Sequence, residues 1–209
     1  FSSYHLSEEN LRYYTDEMIR IKPRFIDSYP SSVERIAEYC LKNGIDAIRP
    51  KAIITSAETL FEHQRNKIEK AFGCKVYDQY GCTEQAVFVS QCEFGSYHVN
   101  PEYGILEVLD ERDRPVRNGE IGNFVCTGFT NMAMPLIRYR MGDMGILSEK
   151  KCECGRSFTV VEKICGRNDE ILITPDGRYI GRLDPVFKGV RNTIKEAQIV
   201  QEKRDHIAV

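Results

Sequence analysis

The pattern of apolar and polar positions changes near residue 85, from mixed helices and strands to mainly short strands. Residues 7 to 21 carry apolar side chains at helical spacing, with Ser7 as a candidate N-cap. A second helix is predicted from Ser31, where Ser31 and Glu34 match a capping box, to Gly44. Its predicted apolar stripe consists of Val33, Ile36, Ala37, Cys40 and Leu41.

A strand, a helix and a second strand follow in the order of a βαβ unit. The β-branched run "KAIITS" (51–56) predicts a buried strand, "AETLFEHQRNKIEKAFG" (57–73) predicts an amphipathic helix, and "CKVYDQY" (74–80) predicts the next strand. The two strands of such a unit are parallel neighbours. We therefore expect "TSAETL" and "YGCTEQ", which leave their carboxyl ends, to lie side by side at one edge of the sheet.

The remainder of the chain is predicted to be rich in β-structure. Short strands are expected at "AVFVSQC", "GILEVLD", "GNFVCTG", "GILSEK", "FTVVEKI" and "EILIT". A helix over residues 184 to 196 and a strand at "AQIVQEK" are expected at the end. The segment "CGRNDEIL" is a candidate passage between a domain of residues 1–165 and a second domain of residues 166–209.

Composition and charge exclude several function classes. With 209 residues, 42% hydrophobic, 29% charged and a net charge of −2, the chain is typical of a globular protein with no general attraction to nucleic acid or anionic membranes. No apolar run reaches the roughly 18 residues of a membrane span. The placement of the eight cysteines favours reduced thiols and a cytoplasmic location. Residue 1 is Phe rather than Met, and we expect a piece of a longer protein.

The segment "YGCTE" carries side chains that a simple turn does not require. Gly81 permits a sharp turn and a close approach to a ligand. Tyr80 offers an aromatic face for a base, Thr83 a hydroxyl, and Glu84 an oxygen ligand suited to Mg²⁺. The alternative is a strand-to-strand turn with incidental polar residues.

Two further segments carry candidate binding residues. Asp143, in "RYRMGD", could hold two neighbouring sugar hydroxyls through both carboxylate oxygens, or it could be a β-turn residue that binds its own backbone. Arg167, in "GRNDEIL", could bind phosphate or ribose oxygens, or it could lie in a solvated turn. Each segment alone is weak support for a nucleotide site.

Together and in order, "TSAETL", "YGCTEQ", "RYRMGD" and "GRNDEIL" resemble the adenylate-forming superfamily, which activates carboxylic acids as acyl-adenylates. The chain is most similar to the branch of phenylacetate–coenzyme A ligases and capsular polysaccharide biosynthesis proteins, and "KPRFIDSYPSSVERIAEYC" also resembles a segment of that branch. The resemblance implies an α/β fold. Residues 1–165 would be the βαβ unit and β-rich subdomain that end the large N-terminal domain, and residues 166–209 the hinge and start of a small α+β domain.

The resemblance also implies a role for each motif residue. Ser56, Ala57 and Glu58 would line the adenine pocket, mostly by backbone, and Tyr80 would stack on the base. Thr83 would contact the α-phosphate, Glu84 would bind Mg²⁺, Asp143 would hold the ribose, and Arg167 would lie at the hinge. The implied activity is an ATP-dependent, AMP-forming ligase for a small carboxylic acid, followed by thioester formation with coenzyme A.

Three departures from the family pattern leave alternatives open. Met141 stands where a small or hydroxyl residue is common, and neither the upstream phosphate loop nor the C-terminal lysine segment is in this sequence. The alternatives are a capsular polysaccharide biosynthesis-type homologue, or a non-catalytic, zinc-stabilised module that binds a partner or saccharide.

Four residues are candidate zinc ligands. Cys92 and His98 lie in "QCEFGSYH", and Cys152 and Cys154 lie in "KCECGRS". Three thiolates and an imidazole form a common tetrahedral structural zinc set, and Gly155 would permit the tight turn that such pairs use. The alternative is four unrelated residues, because the spacing differs from the common C-x₂-C pattern.

Overall fold

The computed structural model describes residues 1–3, 5–167, 172–175, 179–180 and 198–209. The chain forms two compact units, the first from residues 1–83 and 88–98 and the second from residues 84–87 and 99–209. The predicted division at residue 165 remains a prediction, and the helix expected at residues 184–196 lies outside the described residues. Within the described ranges, no helix has the length and apolar character needed to cross a membrane.

The first unit contains the helices α1 (Glu8–Ile21), α2 (Pro30–Asn43) and α3 (Glu62–Phe72). The predicted cap of α1 is confirmed, because the Ser7 side chain accepts a hydrogen bond from the Asn10 amide. The predicted capping box of α2 is wrong. That helix begins at Pro30, and Ser31 already lies inside it, so its hydroxyl donates instead to Glu58 in a neighbouring loop. Gly44 ends α2 as expected, with a positive φ of 65°.

The strands of the first unit are β1 (Phe25–Ser28), β2 (Ala52–Thr55), β3 (Lys75–Gly81) and β4 (Phe88–Gln91), and β5 (Tyr97–Val99) leads into the second unit. Strands β1, β2 and β3 are parallel in this order, and β4 runs antiparallel to β3. The predicted βαβ unit is therefore confirmed as β2, α3 and β3. Strand β1 was not predicted, because it has four residues and a single buried side chain, Ile26.

The core of the first unit fills the space between its helices and sheet. It is built from side chains such as Val33, Ile53, Ile68 and Phe72, all at most 1% exposed. Cys40 belongs to this core, and burial raises the pKa of its thiol to about 11. Its predicted neighbour on the helix stripe, Leu41, is instead 41% exposed, so the buried face of α2 is narrower than the sequence pattern indicated.

Helix α3 begins five residues later than predicted. Ala57 has a positive φ of 66°, which is incompatible with a right-handed helix. The backbone N–H of Phe61 donates to the Gln64 side chain, which defines the true helix start. Gly73 ends the helix as expected, with its N–H bound to the Glu69 carbonyl.

The second unit contains an antiparallel sheet in the order β9-β8-β7-β6. The strands are β6 (Gly104–Leu109), β7 (Ile121–Gly128), β8 (Tyr139–Leu147) and β9 (Val160–Arg167). Strand β8 was predicted to begin at Gly145 but begins at Tyr139, because its pairing with β7 extends to Cys126. Two small hairpins follow among the described residues, β10 (Leu172–Ile173) with β11 (Tyr179–Ile180), and β12 (Val200–Lys203) with β13 (His206–Ala208).

The tight core of the first unit generates a stability prediction. We expect Ile68→Ala to lower the free energy of unfolding by about 2–5 kcal/mol, because Ile68 is 0% exposed and its loss leaves a cavity. The matched control is Ile21→Ala, at a residue that is 55% exposed, with an expected change below about 0.5 kcal/mol. Urea unfolding of the full-length protein measures both, and equal effects of the two substitutions would contradict the described core.

Candidate functional site

The two predicted contact loops of the first unit begin at the same edge of the sheet. Thr55 at the end of β2 pairs with Asp78 in β3, and the strands are parallel. The segment Ser56–Glu58 therefore leaves β2 where β3 approaches its own end at Gly81. The structure brings these two groups of predicted residues together, as the βαβ pattern predicted.

The loop after β2 has an unusual backbone and a well-anchored carboxylate. Ala57 adopts the left-handed conformation, which costs a non-glycine residue about 1–2 kcal/mol. The Glu58 carboxylate accepts hydrogen bonds from the backbone N–H and the hydroxyl of Ser31, each at 3.0 Å. Because Ser31 lies in the first turn of α2, this anion caps the helix from another segment of the chain. A nucleotide contact by this loop would therefore use mainly its backbone, as the resemblance implied.

The loop after β3 combines buried and exposed predicted residues. Tyr80 lies in β3 and is 8% exposed, on the same face of the strand as Val76 and Asp78. Gly81 and Thr83 are exposed, so the Thr83 hydroxyl lies at the surface of the loop. The six residues 82–87 connect β3 to the antiparallel strand β4. The segment is therefore a strand-to-strand connection, and it also presents the predicted phosphate-binding hydroxyl.

A buried hydrogen-bonded carboxylate lies directly beneath these loops. Asp78 accepts hydrogen bonds from the hydroxyls of Thr55 and Tyr97, each at 2.6 Å. Burial raises the pKa of Asp78, while the two hydroxyl bonds and the charge of Arg65 act in the opposite direction. The sequence pattern did not predict this group. The available signal was a carboxylate at an inward-facing position of a predicted strand.

In the second unit, Glu84 is held by a residue of a different motif. The Tyr139 hydroxyl donates to a Glu84 carboxylate oxygen at 3.0 Å. A carboxylate has about four lone-pair sites, so the bond from Tyr139 is compatible with a metal ligand role. The next residue, Gln85, has a positive φ of 58°. No role was predicted for Tyr139, although it belongs to the motif "RYRMGD".

Asp143 and Arg167 face each other across paired strands of the second unit. Asp143 lies inside β8, 9% exposed, and pairs with Arg167 in β9. The β-turn alternative for Asp143 is therefore wrong. Gly142 has a φ of 82°, and a side chain there would approach the Arg167 guanidinium to 3.2 Å. A glycine at this position thus leaves space for the Arg167 side chain.

The other two arginines of the same motif form surface ion pairs. Arg138 binds Glu107 at 3.1 Å, and Arg140 binds Asp113 at 2.7 Å. Met141, which departs from the family pattern, is 8% exposed and contacts the buried Cys126. Along this motif the side chains therefore alternate between surface ion pairs and the core.

The candidate zinc ligands form two local pairs with suitable turns. In the first unit, the donor atoms of Cys92 and His98 lie within 4.8 Å of each other, and the Gly95 N–H donates to the Cys92 carbonyl at 2.9 Å. In the second unit, the sulfur atoms of Cys152 and Cys154 lie within the same 4.8 Å limit, and the Cys154 N–H is directed at the Cys152 sulfur at 3.5 Å. The glycine that follows each turn, Gly95 or Gly155, has a positive φ.

Comparison with known proteins relates the chain to two groups of curated relatives, while no protein-family model matches it. It is 32% identical to Protein CapK of Staphylococcus aureus over 212 residues, covering 100% of this chain and 46% of that protein. It is 28% identical to a phenylacetate–coenzyme A ligase of Thermus thermophilus over 187 residues, covering 86% of this chain and 42% of that protein. The chain thus spans less than half the length of these relatives.

Solved structures share the fold. A 2-hydroxyisobutyryl-CoA ligase in complex with 2-HIB-AMP superposes with a TM-score of 0.71 at 23% identity, over 82% of this chain and 38% of that chain. An anthranilate–CoA ligase in complex with anthranoyl-AMP gives a TM-score of 0.61 at 17% identity, over 85% of this chain and 36% of that chain. Identities of this size establish the fold alone. The predicted α/β fold class is confirmed.

The space around Gly142 generates a prediction for the site. We expect Gly142→Ala to lower the unfolding free energy by about 1–2 kcal/mol through its positive φ, and to weaken nucleotide binding as well, because the new methyl group displaces the Arg167 guanidinium. Gly44→Ala is the matched control, since Gly44 has a φ of 65° and nothing within 4 Å of the added methyl group.

Unfolding experiments and calorimetric titration with ATP on the full-length protein measure the two effects. The control should lose stability and keep its affinity for ATP. If Gly142→Ala also keeps full affinity, the Arg167 side chain does not contribute to a nucleotide site through its position beside Gly142.

Proposed function

We propose, from this chain's confirmed resemblance to the adenylate-forming superfamily, that it is the nucleotide-binding part of an ATP-dependent, AMP-forming ligase. The enzyme would activate a small carboxylic acid as an acyl-adenylate and pass the acyl group to coenzyme A. The relatives support this class of reaction, since the matched curated ligase is a phenylacetate–coenzyme A ligase and the similar solved structures contain acyl-AMP ligands.

The observation that carries the proposal is the parallel pairing of β2 with β3. It brings Ser56–Glu58 and Gly81–Thr83 to one sheet edge, with Thr55 opposite Asp78. Ligands of open α/β sheets bind at the carboxyl ends of parallel strands. The two loops that carry the predicted contact residues lie at that edge, which supports a nucleotide site there.

Each residue has a role in this proposal. Backbone groups of Ser56 and Ala57, with part of the Tyr80 ring, would form the adenine contact, and the exposed Thr83 hydroxyl would donate to the α-phosphate. Attack of a carboxylate on a phosphate brings like charges together, so donors around the phosphate are needed to stabilise the charge that develops. Mg²⁺ would supply further positive charge, with Glu84 as its ligand.

Asp143 and Arg167 would contribute from the second unit. The Asp143 carboxylate can accept hydrogen bonds from two ribose hydroxyls, and Arg167 can donate to nearby ribose or phosphate oxygens. Their pairing across β8 and β9 supports a shared role.

Substitutions of the two carboxylates test the activity. In the full-length protein, Glu84→Gln should reduce acid-dependent ATP–pyrophosphate exchange about 10²–10³-fold, because it removes a charged metal ligand. Asp143→Ala should mainly raise the KM for ATP. The control Glu9→Gln, at an exposed residue of α1, should leave exchange unchanged.

Exchange at wild-type rates in both Glu84→Gln and Asp143→Ala would show that the assigned site is wrong. Calorimetry that detects no ATP binding to the full-length wild-type protein would instead favour the non-catalytic binding module.

We also propose that Cys92, His98, Cys152 and Cys154 bind one structural zinc ion. They are a group of described residues with the donor composition of a metal centre. Three thiolates and one imidazole complete a tetrahedral shell without an open position for catalysis. The N–H directed at the Cys152 sulfur supports this role, because such bonds stabilise a thiolate.

Metal analysis of the purified full-length protein tests this site. We expect about one equivalent of zinc in the wild type, and a loss of zinc together with a lower unfolding temperature in Cys154→Ser. Cys74→Ser is the control, because Cys74 is a partly buried thiol that packs against the first-unit core and should not affect zinc content. Substoichiometric zinc in the wild type, with no effect of chelators on stability, would exclude the four-ligand site.

A further inference from the structure

We propose that Asp78 is a positioning residue, whose carboxylate fixes the two nucleotide-contact loops of the first unit relative to each other. The inference rests on the proposed function for the identity of the ligand. It goes further by assigning a role to a buried carboxylate of β3. The loops concerned are Ser56–Glu58 and the segment from Tyr80 to Thr83.

The carboxylate joins three strands of the first unit. One Asp78 oxygen accepts from the Thr55 hydroxyl at the end of β2, and the other accepts from the Tyr97 hydroxyl in β5, each at 2.6 Å. These are the short distances of charge-assisted O–H···O⁻ bonds, which are stronger than bonds between neutral groups. Asp78 itself is 7% exposed, so little water competes for its oxygens.

Both hydroxyl donors, Thr55 and Tyr97, belong to buried or partly buried side chains. A phenol hydroxyl can donate to a carboxylate, and the Tyr97 hydroxyl does so from a partly buried side chain. Thr55 is 0% exposed and pairs directly with Asp78 in the parallel register of β2 and β3. The bond between them therefore fixes the lateral alignment of the two strand ends.

The backbone at Asp78 is fixed as well. Its N–H donates to the Gln91 side-chain oxygen at 2.9 Å, and the same oxygen accepts from Arg65 at 2.8 Å. Gln91 also donates to the Gly95 carbonyl at 3.1 Å. The position of Asp78 is thus set from α3, from β4 and from the turn that follows β4.

The network lies immediately before both loops in the chain. Thr55 is followed directly by Ser56, and Asp78 lies two residues before Tyr80 on the same face of β3. A change in the Thr55–Asp78 bond therefore shifts the start of one loop against the aromatic residue of the other. Positioning of this kind affects ligand affinity through the placement of the two loops.

If Asp78 and its partners had only a structural role, removing their hydrogen bonds would lower stability without changing nucleotide affinity. Thr15 provides a matched control for such a loss. Thr15 is also 0% exposed, and its hydroxyl donates to the Leu11 carbonyl within α1. Thr15→Val removes a buried hydroxyl bond in the same unit, but in a helix that carries neither loop. It should cost stability without changing nucleotide affinity.

The test uses Thr55→Val, Tyr97→Phe and the conservative Thr55→Ser in the full-length protein, with Thr15→Val as control. We expect Thr55→Val and Tyr97→Phe to raise the Kd for Mg-ATP roughly three- to tenfold. Hydrogen exchange of the amides of residues 79–83 should become faster in both. Thr55→Ser retains the hydroxyl and should restore affinity and protection to near the wild-type level.

The outcomes separate this inference from the proposed function. If wild-type protein binds Mg-ATP but Thr55→Val and Tyr97→Phe bind it equally well, or if Thr15→Val weakens binding to the same extent, the positioning role is wrong. If the wild type does not bind Mg-ATP, the proposed function is wrong. The positioning role of Asp78 is then tested by hydrogen exchange of residues 79–83 alone. Unchanged protection of residues 79–83 in both variants would then overturn it.

Discussion

The parallel alignment of β2 with β3 is the constraint on which the candidate site depends. Parallel neighbours need a crossover connection, and α3 supplies it. The alignment brings two loops that are more than 20 residues apart in sequence to one sheet edge. It also places Thr55 opposite Asp78, so the strand pairing is reinforced by a hydroxyl–carboxylate bond in addition to the backbone ladder. Backbone geometry and side-chain chemistry therefore specify the same arrangement.

The polar groups of the site are held by contacts within their own unit. Glu58 is bound at the start of α2, Glu84 is bound by Tyr139, and the backbone of Asp143 is paired with that of Arg167 in the neighbouring strand. Charged groups that are oriented before a ligand arrives lose less conformational freedom on binding. The left-handed residues Ala57 and Gln85 fit the same interpretation, because strained backbone tends to persist where the surrounding structure requires it.

Sequence patterns predicted the elements with strong local signals and missed those defined by tertiary contacts. The βαβ unit and the C-terminal ends of α2 and α3 were predicted correctly, because β-branched runs and terminal glycines are local signals. Strand β1 was missed, since four residues with one buried side chain carry almost no periodicity. The capping box at Ser31 was predicted wrongly, because its hydroxyl binds Glu58, which is 27 residues away. The partners of Asp78 and Glu84 could not be inferred for the same reason, since Tyr97 and Tyr139 lie far along the chain.

The bond between Glu58 and Ser31 also has a mechanical consequence. Helix α2 has 14 residues and is therefore about 21 Å long, and it behaves as a stiff rod over that distance. Its first turn is attached to the loop after β2 by two hydrogen bonds to one carboxylate. Any displacement of that loop would therefore move the first turn of α2. Because the helix is stiff, the movement would also reach its opposite end at Gly44.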